Sequence, residues 1–397
     1  MGDAEVTFSL ALPMQNKDKL DAFFTAVSDP DSPTYGQYMT RQEVNALTAA
    51  PAAVRESVMA TMKAAGATCV EKTGDSIKCT APVSVVNSML KTSMTAYKHR
   101  ATGAITHLVD GLHSFPEALV GKVDFISGLS MLPAERYGRS QLLNLEGTSG
   151  TSAAQGSKLS VVPETLSSMY NLDAGKGSSK VTQGAVEYQG APAWTQTDLD
   201  TFISNTGVPS FSVSHTGPFN DLQAFAESTL DVQYLGAVGA GNTNEYFTTA
   251  TWMYDYSNEV LAGTFTADVQ SSSYGFREDQ NCVINPLSPP CANGGVGAYI
   301  AATNTLFQKV GATGITLVVA AGDAGAHGRE DQSCVTGKVN PDFPASSPYV
   351  TSVGATQLSA DAVSADPTSP ICKSELKCAT GGSEQVCSYG TGALIPS

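Results

Sequence analysis

Three places in this 397-residue chain bring together residue types that could do chemistry. The first is a carboxyl pair. Glu227 and Asp231 lie four residues apart in Ala224-Phe225-Ala226-Glu227-Ser228-Thr229-Leu230-Asp231-Val232-Gln233-Tyr234-Leu235. In a helix, a spacing of four puts both carboxyls on one face. The flanks are apolar, so two like charges there would repel in a poorly solvated place. Raised and separated pKa values would follow, which is what acid-base work needs. A solvated helix face is the ordinary alternative for such a spacing.

The second is Asp323 in Gly322-Asp323-Ala324-Gly325, directly after the apolar run Ile315-Thr316-Leu317-Val318-Val319-Ala320-Ala321. In open α/β sheets, sites form at the carboxyl ends of strands. A protonated carboxyl there could donate to an oxyanion, although an Asp in a Gly-rich turn also suits the spacing. The third is Ser273-Tyr274-Gly275, shortly after a candidate strand at Phe265-Thr266-Ala267-Asp268-Val269. Ser273 and Gly275 would let an extended peptide approach the backbone, and a simple turn explains them equally.

These residues need a sheet to hold them. From Val162 onward, helical patterns alternate with β-rich runs, among them Ala185-Val186-Glu187-Tyr188 and the apolar run ending at Ala321. That rhythm predicts an α/β domain with a parallel sheet. Ahead of it, Val6 to Leu12 alternates with period two, a half-buried strand. Asn16 to Val27 places Leu20, Phe23, Phe24 and Val27 on one helical face. Thr40, with Glu43 three residues on, predicts a helix start, and Val83 to Leu90 reads as another amphipathic helix. Residues 1–130 thus read as a compact α+β domain. Residues 131–160, with Gly147-Thr148-Ser149-Gly150-Thr151-Ser152, read as a flexible processing linker, and 161–397 as the α/β domain.

Composition narrows the function classes. Residues 1–140 hold 13 Lys/Arg against 14 Asp/Glu, and the remainder 9 against 23. Such a balance disfavours a nucleic-acid partner, and no apolar run is long enough for a membrane span. It also suggests a latch in which basic groups of the first domain face carboxylates of the second. The N-terminal residues contain no signal peptide. Eight cysteines occur without a CxxC pair or Cys/His ligand spacing, so a zinc site is not expected. Cys69 and Cys79 bracket a hairpin turning at Gly74-Asp75, which would place the thiols face to face. They read as a disulfide, the alternative being two buried thiols. No pairing is assigned to Cys282, Cys291, Cys334, Cys372, Cys378 and Cys387.

Taken together, these segments resemble the sedolisins, the serine-carboxyl peptidases, and especially their tripeptidyl-peptidase I branch. Ser28-Asp29-Pro30, Ser32-Pro33, Tyr35-Gly36 and Tyr38-Met39-Thr40 look like the opening of the family's pro-kumamolisin-type activation domain. His113-Ser114-Phe115-Pro116 and the segment from Val123 to Leu129 look like its end. Val162-Pro163-Glu164-Thr165-Leu166 and Met169-Tyr170-Asn171-Leu172 resemble the start of the catalytic domain. Glu227-Ser228-Thr229-Leu230-Asp231 matches the catalytic helix, Ala321-Gly322-Asp323-Ala324-Gly325 the oxyanion segment, and Phe343-Pro344-Ala345-Ser346-Ser347-Pro348 a further signature.

The resemblance implies a subtilisin-like fold that hydrolyses peptide bonds of peptides and proteins at acid pH, in a lysosomal, vacuolar or secreted setting. Glu227 would be the general base, Asp231 its proton-sharing partner, and Asp323 the oxyanion donor. The activation domain would be an intramolecular partner. The family's nucleophile lies in a Ser-Gly-Thr-Ser motif well downstream of the oxyanion Asp, and none follows Asp323 here. The family's calcium ligands lie further downstream still, so no cofactor is assigned to residues of this chain. The nucleophile and calcium segments are expected beyond Ser397, leaving the 397 residues inactive by themselves. Ser149-Gly150-Thr151-Ser152 repeats the motif but precedes the catalytic domain and lacks the apolar helix behind it, so Ser152 reads as a decoy. The alternative is a non-catalytic protein that keeps the activation domain as an inhibitory or chaperone-like module.

Overall fold

The N-terminal alternating segment becomes β1 (Glu5–Ala11), followed by α1 (Lys17–Ser28), α2 (Arg41–Thr48), α3 (Ala52–Ala65), β2 (Thr68–Thr73), β3 (Ser76–Pro82), α4 (Val83–Leu90), β4 (Thr95–Lys98), β5 (Ile105–Leu108) and β6 (Phe125–Ser127). This is a computed structural model, and it describes residues 3–98, 105–109, 111–130, 161–172, 177–188, 193–220, 224–249, 251–284, 295–322 and 341–354, with short strands at 356–358, 384–387 and 394–396. Residues 131–160, including Ser152, and Asp323 lie outside the described residues.

Strands β2-β3-β1-β6 form an antiparallel sheet. Thr40 caps α2 in a full capping box with Glu43, as the spacing predicts. Cys69 and Cys79 pair directly across β2 and β3 and are disulfide-bonded. The expectation of a half-buried β1 needs correction, because Phe8 through Ala11 are all buried. Phe8 and Leu10 enter a core with Val58, Met62, Val86 and Leu90 of α3 and α4, while Ala11 faces a second core with residues of the following unit. A strand covered on both faces cannot show its second layer through its own periodicity.

The second unit contains α5 (Pro163–Met169), β7 (Thr182–Tyr188), α6 (Gln196–Thr206), β8 (Val213–Thr216), α7 (Ala226–Val238), β9 (Thr243–Thr249), α8 (Met253–Leu261), β10 (Val269–Ser272), β11 (Phe276–Arg277), α9 (Gly295–Ala312), β12 (Thr316–Ala320), β13 (Asp342–Phe343) and β14 (Thr351–Val353). Six strands form one sheet in the order β14-β12-β10-β7-β9-β8, every pairing parallel. The predicted fold class, a parallel α/β unit behind an α+β unit, is what the chain adopts. Its core joins Val186 and Tyr188 of β7 to Tyr254, Tyr256 and Val260 of α8 and to Leu306, Phe307 and Val310 of α9. Leu20 of α1 and Val44 of α2 enter the same core, so the two units share apolar packing.

One strand is displaced from its expected place. Residues 265–268 are not strand, and β10 begins at Val269 and runs to Ser272. Phe265 and Ala267 are buried because they fill the space above Gly184, where an added Cβ would come within 2.4 Å of the Phe265 ring. Apolar packing residues ahead of the strand imitate a strand's composition.

Candidate active site

The shift of β10 brings Ser273 directly to the carboxyl end of the sheet. β7, β10 and β12 are neighbours, and their ends present Glu187, Ser273 and Gly322 in turn. α7 packs on β7 and carries Glu227 and Asp231 one turn apart on the expected face. Ser273 Oγ lies 2.9 and 3.1 Å from the two Asp231 carboxyl oxygens and donates to that group. Helix and sheet are thereby tied at the point where the carboxyls gather.

The electrostatics follow from burial. Asp231 is pushed up to about 7, first by burial and then by the Glu227 charge, with Ser273 partly offsetting both. Partial solvent access remains at the residue's edge, while its carboxyl is enclosed by protein. Glu187, buried on β7 and absent from the sequence-based site, joins the same group. It is pushed up to about 8 by burial, then by the charge of Asp231, while Tyr274 donates a 2.5 Å hydrogen bond to its Oε2 and lowers it. Its other oxygen is buried and has no hydrogen-bond partner among the described residues. An unpaired buried oxygen costs less on a neutral carboxyl than on a carboxylate.

Three carboxyls in one poorly solvated site cannot all be charged. Asp231 and Glu187 are both held protonated in the acid range, and half-buried Glu227 lies beside them. Glu187 could have been found from one signal, a carboxylic acid inside the otherwise apolar run Ala185-Val186-Glu187-Tyr188. Tyr274, inside the Ser273-Tyr274-Gly275 segment, is buried and acts through Glu187. Gly275 is buried beside Ser273.

Asp323 itself is outside the described residues, but the turn before it is defined. Gly322 has φ +90, and a Cβ there would lie 2.4 Å from Asp342 Oδ2. Only glycine fits, so the chain leaves β12 in a conformation few other residues adopt. Among the described residues, no group of three or more His, Cys, Asp or Glu could hold a metal ion, and no helix is long and apolar enough to cross a membrane.

The architecture is thus a parallel α/β unit with acidic residues gathered at its strand ends, behind an antiparallel unit. The family described as Pro-kumamolisin, activation domain, matches residues 1–132. Physarolisin of Physarum polycephalum is 34% identical over 396 residues, covering 97% of this chain and 66% of that protein. Tripeptidyl-peptidase 1 of Rattus norvegicus is 32% identical and that of Homo sapiens 31%, each alignment covering 90% of this chain and 62% of the relative. Among solved structures, the Pseudomonas sedolisin (serine-carboxyl proteinase) complexed with pseudo-iodotyrostatin aligns with a TM-score of 0.39 and 22% identity, over 51% of this chain and 56% of that one. The chain belongs to the sedolisin, tripeptidyl-peptidase 1-like family. It spans slightly less than two thirds of the length of these curated relatives.

Proposed function

We propose that the chain is the precursor form of an acid-active serine-type peptidase, tripeptidyl-peptidase-like in its action on peptide bonds. In this reading residues 1–130 are the activation domain, 131–160 the processing linker and 161–397 the peptidase domain, working in an acidic lysosomal, vacuolar or secreted setting. The observation that carries it is the row of carboxyls at the strand ends, Glu227, Asp231 and Glu187, with Ser273 donating to Asp231. The nucleophile is a serine in a Ser-Gly-Thr-Ser segment that the family resemblance assigns downstream of Asp323. Calcium, expected from the same resemblance, belongs to that downstream part, and no step here depends on it.

Glu227, ionised, takes the proton of the serine hydroxyl as its oxygen attacks the peptide carbonyl carbon. Asp323, protonated in acid, donates to the oxyanion. Collapse breaks the C–N bond, and the proton held on Glu227 passes to the departing amine. Water repeats the sequence on the acyl-enzyme. Asp231 and Glu187 stay neutral and keep the one negative charge on Glu227, while Ser273 and Gly275 line the substrate's extended backbone. This chemistry needs Glu227 charged and Asp323 neutral together, a combination that low pH supplies.

Peptide hydrolysis at acid pH tests the proposal, measured on the 397-residue chain and on a chain extended by the downstream segment. The extended chain should cleave and the shorter one should not. Cleavage by the shorter chain that is lost on Ser152→Ala would overturn the assignment of the nucleophile.

A further inference from the structure

The face between the two units carries an arrangement that the peptidase reading leaves unused. The turn between β2 and β3, Thr73-Gly74-Asp75-Ser76, reaches residues of both α8 and α9. Asp75 Oδ2 lies 2.5 Å from Lys309 Nζ of α9, and both side chains are fully buried. On the hairpin's two flanks, Lys72 and Lys78 each place Nζ 2.9 Å from a different oxygen of Glu259 on α8. Thr73 Oγ1 lies 2.7 Å from Asn258 Oδ1, and its one proton is shared between that oxygen and Asp75 Oδ1. Base, acid, base on the hairpin therefore meet acid and base on the helices.

The latch read from net charge is thus half right. Lys72 and Lys78 do face a carboxylate, but the deepest pair has the opposite polarity, with the acid on the activation domain. Other contacts across this face carry no sign. Met39 N donates to Ala312 O, Ile126 and Ile284 exchange backbone hydrogen bonds, Asn45 donates to Leu261 O, and the hydroxyls of Ser9 and Ser127 donate to Asp255. Among the described residues, the ion pairs across the face all run through the hairpin.

The tip is also held by contacts within its own unit. Gly74 tucks against Ala49, where a Cβ would approach within 2.5 Å, and its carbonyl accepts from Ala50 N at 2.9 Å. Thr48 and Thr73 both donate to Asp75, at 2.9 and 2.6 Å, and Cys69–Cys79 closes the stem. A tip ordered by its own domain loses little freedom on binding. A buried ammonium at Lys309 without its acid would be left uncompensated, and a tip of the wrong sign would meet like charge.

We propose that the hairpin tip, residues 72–78, is the element by which the activation domain recognises its own peptidase domain, and that Asn258, Glu259 and Lys309 form its socket. The partner this socket fits is a disulfide-closed hairpin with an acid at the turn and a base on each flank. The proposal rests on residues 1–130 acting as an activation domain. Its test needs no peptidase activity, so the catalytic reading can fail without it.

The test is hydrogen exchange of the tip and α8 amides in the full chain. Lys72→Glu with Lys78→Glu should cost about tenfold or more in protection, and adding Glu259→Lys should restore it to within about threefold. The strand amides between β1 and β6 should stay protected throughout, which separates undocking from unfolding. Asp75→Asn and Lys309→Met should show a coupling of about tenfold in a double-mutant cycle. If the Asp75 variants do not fold, the lysine series decides alone. Protection unchanged by the lysine reversal, or no recovery on adding Glu259→Lys, would overturn the proposal and leave apolar packing as the determinant.

Discussion

Ser273, at the end of β10, donates its hydroxyl to Asp231 of α7, 2.9 Å from the nearer carboxyl oxygen. This bond favours the charged form of a group that burial and Glu227 both push the other way. Ser273→Ala should therefore raise the Asp231 pKa further and cost about 1 kcal/mol at pH 8, where the carboxylate is present. Carboxyl titration followed by 13C NMR reads the shift, and Ser273→Thr should restore it. A pKa that stays still or falls would contradict the arrangement.

Stability should depend on pH through the same group. Asp231 and Glu187 have folded pKa values raised to about 7 and about 8, above the ordinary 3.8 and 4.5 of the free side chains. Between each pair of values the folded chain holds protons that the unfolded chain has lost, so this contribution is complete below the lower value and fades as pH rises through the upper one. The melting temperature should accordingly fall from pH 5 to pH 8. Glu187→Gln should flatten part of that slope, and a melting curve unchanged by Glu187→Gln would argue against a buried neutral acid.

Gly322 tests the turn that delivers Asp323. Gly322→Ala meets both a positive φ and Asp342 Oδ2, and should cost about 1–3 kcal/mol. Gly354→Ala, where an added Cβ meets none of the described residues within 4 Å, should change stability by less than about 0.5 kcal/mol. Denaturant unfolding of the two variants side by side gives the comparison. Equal effects would remove the constraint at 322.

The Cys69–Cys79 bond closes a loop with a sequence separation of 10. Replacing both cysteines with alanine should destabilise the N-terminal unit by about 2–3 kcal/mol, because the unfolded chain regains the closed loop's freedom. Thermal unfolding should then show that unit melting at lower temperature, and an unchanged curve would contradict this.

Local signals were legible where one short stretch holds the whole instruction. The spacing of Glu227 and Asp231, the Thr40–Glu43 capping box and the Cys69–Cys79 hairpin each need only neighbours in sequence. Glu187 was missed because a single acid in a strand leaves no periodic trace, and only the approach of α7 and Tyr274 makes it part of a site. The start of β10 was misplaced because Phe265 packs like a strand residue without pairing like one. The uneven distribution of Lys and Arg pointed to basic groups of the first unit facing carboxylates of the second, as Lys72 and Lys78 face Glu259. It could not foresee Asp75 against Lys309, since a sum over residues does not say which charges become buried.

In the proposed function Glu227 is the base of an acid peptidase. The most direct measurement is the kcat of the extended, matured enzyme on a short peptide at about pH 4, for the native sequence and for Glu227→Gln. Glu227→Gln should lose about 1000-fold or more in kcat with little change in KM, since the amide keeps the shape but cannot take the proton. A Glu227→Gln enzyme that retains kcat within about threefold would contradict it.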